Sequence, residues 1–145
     1  MDPFVSTLTG VVVGAASTWG VEIARRRHVE RREFRTAART TELVLSRCLY
    51  VADGGDDAPT LGARQRVFAA IDHAEIWVKH VAVLAARLDD DEWRAFELGW
   101  RAVPLIEQLS PGPGLAAAKA GIREQVGPAL RILGRYTGMP ADSSA

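Results

Sequence analysis

Lysine is almost missing from this sequence: of its 18 Lys and Arg residues all but Lys79 and Lys119 are arginine, which marks genome composition more than function. Cysteine is scarcer still. Cys48 stands alone, so no intramolecular disulfide can form and the fold needs no oxidising compartment. With one Cys and three His, little is available for a metal centre or a nucleophile paired with a base. Net charge is lacking too, 18 cations balancing 18 carboxylates, so the chain as a whole has no electrostatic footprint for nucleic acid. Pro111, Gly112, Pro113 and Gly114 follow no strand, which removes the context a phosphate-binding loop requires.

The most informative absence is local. From Phe4 to Val21 no residue is charged, and this run of about 18 reaches the lower limit for crossing a hydrocarbon core as a helix. Trp19 lies near its end, where an interfacial aromatic is expected, and Glu22 marks the return to water. The expectation is a spanning anchor over residues 1–24. A helix buried in a partner is the main alternative, because Ser6, Thr7, Thr9, Ser17 and Thr18 dilute the hydrophobicity. A cleaved signal peptide fits poorly, since Met1 to Val5 carries no cation and Asp2 is acidic. Ser6, Gly10, Gly14 and Thr18 follow one another at i, i+4, which places four small residues on one face. Such a stripe lets two helices approach closely in lipid, which makes a homodimer through the anchor one reading; the other is that such anchors are rich in Gly and Ala in any case.

Residues 25–36 continue the helix without Gly or Pro and carry Arg25, Arg26, Arg27, Arg31, Arg32 and Arg35. With no cation ahead of the uncharged segment, this asymmetry orients the C-terminal part to the cytoplasm and makes the inner (plasma) membrane the expected location. The membrane itself is the partner these arginines suit, through anionic headgroups. Nucleic acid is disfavoured, because only Phe34 interleaves as a stacking group and Glu30 and Glu33 dilute the charge. Glu22 with Arg26, and Arg26 with Glu30, are spaced to pair on the helix surface. His28 is expected on the solvated side.

Residues 37–137 read as a helical bundle and 138–145 as a disordered tail. The first bundle helix should end near Ala52, before Asp53, Gly54, Gly55, Asp56, Asp57 and Pro59, with Ala37, Thr41, Val44, Leu45, Cys48, Val51 and Ala52 inward. Cys48 is then a small core hydrophobe. A second helix is expected from Gly62 to Leu88, its seam formed by Val67, Ile71, Ala74, Val78, Val81, Ala85 and Leu88. His73, Trp77, His80 and Leu84 share a flank of it, and the i, i+7 histidines fit neither zinc-helix nor di-iron spacing. Asp89, Asp90, Asp91 and Glu92 resemble an acidic cluster but sit where a helix starts, so capping accounts for them.

The next helix presents Trp93, Phe96, Trp100, Val103 and Ile106 at helical spacing, and Pro104 should end or kink it. Core is the favoured role for this stripe. A partner surface of Trp77, Trp93, Phe96 and Trp100 is the alternative, because so many large rings are a heavy load for a small bundle. The last helix should bury Leu115, Ala118, Ile122, Val126, Ala129, Leu133 and Tyr136, with a kink at Pro128.

The run FVSTLTGVVVGAASTWGVEIARRRHVERREFR resembles a broad type of small bacterial protein with an N-terminal anchor and an Arg/Glu-rich juxtamembrane helix. That resemblance covers the first 35 or so residues, implies membrane location and carries over no functional residue. The fold expected is all-α: an N-terminal transmembrane helix continuing into a small up-down bundle. The function expected is binding or scaffolding without catalysis, metal or cofactor, with an unidentified protein partner. A soluble helical adaptor is the second reading.

Overall fold

The computed structural model describes the backbone of residues 3–138 and the side chains of Trp19 and of residues 21–138. Among the described residues the protein is all-helical, in the order α1 (Pro3–Ala52), α2 (Ala58–Ala69), α3 (His73–Ala85), α4 (Asp90–Arg101), α5 (Leu105–Gln108) and α6 (Leu115–Thr137). Two compact units result, Met1–Glu33 and Phe34–Ala145.

In the first unit the backbone is helical from Pro3 onward. The anchor expected over Phe4–Val21 falls largely on side chains outside the described ones, as do the stripe Ser6, Gly10, Gly14 and Thr18 and the tail 139–145. Among the described residues no helix is long and apolar enough to cross a membrane. Trp19 and Val21 are 75% and 69% exposed.

The second unit is a helical bundle, and local chemistry sets most of its breaks. Asp57 accepts from the Thr60 amide at 2.9 Å to start α2, with Pro59 in the first turn, where its missing N–H costs nothing. Asp72 does the same for α3 through Glu75. Asp89 and Glu92 form a reciprocal capping box at α4, so the acidic run is a helix start. Pro104 separates α4 from the short α5. Gly138, at φ 73°, closes α6 in the left-handed conformation.

The residues expected inward on α1 are all buried, from Ala37 to Ala52, with Phe34 added in front of them. α1 and α6 run antiparallel: Phe34 meets Tyr136 edge-on at 5.0 Å at one end, and Arg123 reaches the Ala52 carbonyl at the other. α4 is also antiparallel to α6, Glu92 pairing with Arg135 at 2.9 Å. These two helices approach closely at Gly99, where a Cβ would stand 2.6 Å from the Ala129 Cβ. α6 passes through Pro128 unbroken and buries Leu115, Ile122, Val126, Ala129 and Leu133 as expected, whereas Ala118 is exposed and Lys119 is buried beside it.

The helix expected from Gly62 to Leu88 is two helices, and most of its seam faces solvent. Val67 is 58% and Val78 76% exposed; Ala74 and Ala85 are exposed, Ile71 and Val81 half-buried, and Leu88 alone is buried. The chain turns at Ala70, whose amide goes back to the Arg66 carbonyl, and Asp72 begins a fresh helix. Counting heptads through that break mixes two helices with unrelated phases. α3 instead turns in the flank with His80 and Leu84, where stacked rings bury more apolar area than a row of Val and Ala would.

Candidate functional site

Three features of the described residues bear on function: an arginine-rich helical segment, an aromatic cluster and a cavity. Arg25, Arg26, Arg27, Arg31, Arg32 and Arg35 are all exposed along α1. Arg26 donates from Nε to Glu22 Oε1 at 3.1 Å, the i, i+4 pair expected from spacing. Phe34, the one aromatic among them, is buried against Tyr136 and offers no stacking platform.

The rings of Trp77, Trp93, Phe96 and Trp100 form one cluster where α3 and α4 meet. Trp77 lies 5.3 Å from Trp100, 6.0 Å from Phe96 and 6.2 Å from Trp93, centroid to centroid. Phe96 is fully buried and presents no surface; the three tryptophans are half-buried and keep an outer edge in solvent. The structure thus gathers all four residues and assigns Phe96 to the core.

Beside this cluster, His73 stacks on Phe68 at 4.2 Å and His80 is buried on α3. Burial holds both imidazoles below their ordinary range, opposed for His73 by Glu107 and Asp72 and reinforced for His80 by Lys79. No group of three His, Cys, Asp or Glu among the described residues could hold a metal ion. Cys48 is buried in α1 and its thiol is pushed up to about 12 by desolvation, which keeps it protonated and a poor nucleophile at neutral pH.

Sequence reasoning missed the way α1 ends. No basic residue occupies its last turn; the Leu49 and Val51 carbonyls accept from the Asp53 and Gly54 amides, and those of Tyr50 and Ala52 are met by cations from other helices. Arg64 of α2 donates to the Tyr50 carbonyl and lies over the Tyr50 ring at 4.1 Å. Arg123 of α6 donates to the Ala52 carbonyl at 2.8 Å and to Asp53 at 2.6 Å. Lys119, one turn earlier, donates to the carbonyls of Gly54 and Gly55 and to Asp56. The i, i+4 spacing of Lys119 and Arg123 is visible in sequence, but nothing there indicates which loop they serve.

A cavity of about 610 Å³ was also not foreseen. It opens between α5, the Pro111–Gly114 loop and the start of α6, with Leu109, Leu115 and Ile122 as apolar wall and Gln108, Ser110 and Gln125 as polar groups. Gln65 braces its α5 side by donating to the carbonyls of Ile106 and Leu109, both at 2.8 Å. Its lining contains no charged side chain. Compared with protein families, with curated proteins and with solved structures, the chain matches none.

Proposed function

We propose that the protein is a single-pass, membrane-anchored helical scaffold that binds a protein partner, itself included, and catalyses no reaction. The observation that carries this reading is the uncharged stretch Phe4–Val21 followed at once, on a continuous helical backbone, by six exposed arginines. Such a stretch suits insertion, and the arginines on its C-terminal side suit retention of the bundle on the cytoplasmic face. The half-buried tryptophans of α3 and α4 are the bundle's candidate partner surface, and the small-residue stripe in the anchor is its candidate for self-association. Fractionation tests the proposal: the full chain is expected in the membrane pellet after an alkaline wash. Recovery in the supernatant as a detergent-free monomer would overturn it.

A second reading, a soluble adaptor whose first helix packs on a partner, is favoured by one specific observation. Trp19 and Val21 are exposed apolar side chains that a partner's surface would cover. The same fractionation separates the two.

A further inference from the structure

The charges of residues 22–33 are sorted around the helix, not only along it. At about 100° per residue, Arg25, Arg27, His28, Arg31 and Arg32 fall within roughly 160° of circumference, with Ala24 among them and no carboxylate. Glu22, Glu30 and Glu33 all fall on the opposite side, together with Arg26, which is already paired to Glu22. Arg25, Arg27 and Arg31 have no ion-pair partner among the described residues, and all three are exposed. The formal charge of the segment is diluted by its acids, but the charge of this face is not.

Position relative to the uncharged segment says what the face meets. The interfacial zone of a bilayer is about 5–7 Å deep per leaflet. Measured from Glu22 at about 1.5 Å per residue, Arg25 and Arg27 lie within about 8 Å of the boundary and Arg31 about 14 Å from it. On an upright helix Arg31 would stand beyond the headgroups by one Debye length of about 8 Å, where much of their attraction is screened. A tilt within the range of about 0–40° seen for single spans lowers one face of the helix toward the bilayer, and only one. We propose that the face of Arg25, Arg27 and Arg31 docks on anionic lipid headgroups, tilting this part of α1 over the membrane. The inference rests on the anchor reading and goes beyond it: an orientation signal needs only the count of arginines, whereas docking needs them on one side.

The test uses full-length protein reconstituted in phosphatidylcholine vesicles with and without phosphatidylserine, with trypsin cleavage after Arg25 and Arg27 followed by mass spectrometry. Phosphatidylserine is expected to slow cleavage at these two sites about tenfold or more. The paired substitution Glu30→Arg with Arg31→Glu keeps composition and net charge but breaks the face, and should abolish most of that protection. Equal protection of the two chains would show that only the number of arginines matters and overturn docking. So would protection by an added RNA or DNA duplex with none from phosphatidylserine, which would assign the face to nucleic acid. Alkaline washing of the same vesicles reads the anchor separately. Retention without face-dependent protection defeats the docking proposal alone, and loss from the pellet defeats both.

Discussion

Lys119 Nζ stands 2.7 Å from Asp56 Oδ1, yet the lysine side chain is 3% exposed and the aspartate 74%. The pair is therefore asymmetric. Lys119 enters the bundle from α6 and brings its ammonium to a loop whose other two acceptors are the Gly54 and Gly55 carbonyls. Lys119→Met should cost about 1–3 kcal/mol, the scale for losing charge-assisted bonds with partners that can still reach water. Asp56→Asn should cost less, because the two carbonyls remain. Urea midpoints measure both, and a larger loss from Asp56→Asn would show that the loop is held by the ion pair alone.

The approach of α4 to α6 is set by one missing side chain. Gly99→Ala would bring a Cβ to 2.6 Å from the Ala129 Cβ and 3.2 Å from the Gln125 carbonyl, so the helices must separate. The expected loss is about 1–3 kcal/mol. Gly121→Ala, within α6 and with nothing within 4 Å, should instead stabilise by about 0.5–1 kcal/mol. Thermal melts showing the same sign for both would contradict this packing.

The orientation of α3 can be tested by a pair of substitutions. Leu84, fully buried, should cost about 2–5 kcal/mol as Leu84→Ala. Val78→Asp, at 76% exposure, should stay within about 0.5 kcal/mol of the unmodified chain. The seam expected from the heptad count requires the reverse order.

Acid should weaken the bundle through α3. Burial depresses the folded pKa of His73 and His80 below 6.5. The unfolded chain therefore takes up protons first as pH falls, and stability present above about 6.5 is lost on the way down. The double variant His73→Gln with His80→Gln should flatten the dependence of the urea midpoint on pH in that range. Parallel pH curves for the two chains would assign the acid sensitivity to carboxylates.

Self-association through the anchor has its own test. Gly14→Ile would put a branched side chain into the stripe Ser6, Gly10, Gly14 and Thr18 while making the segment more hydrophobic, so insertion should survive and cross-linking should not. Val12→Ile, off the stripe, should leave cross-linking intact. Equal cross-linking of both variants would transfer any oligomer to the bundle.

Sequence by itself determined where α1 ends, where α4 begins and where α4 gives way to α5, but not the break between α2 and α3 at Ala70 to Asp72. Asp89 with Glu92, the proline at 104 and the Gly/Asp-rich run at 53–57 act within one or two turns, so their effect is legible without the fold. It also determined the buried face of α1 and most of that of α6, whose apolar periodicity runs over several turns, though not Ala118, which is exposed, or Tyr136, which is half-buried. Tertiary structure alone decided the face of α3, since a helix of 13 residues beginning after a break has a phase that no upstream repeat can transmit. It decided, too, that Lys119 is interior: an ammonium is taken from water only where acceptors already converge, and those come from a loop 63 to 65 residues away. The cavity beside the Pro111–Gly114 loop belongs to the same class, because its walls come from segments that share no local pattern and meet only when α5 and α6 pack.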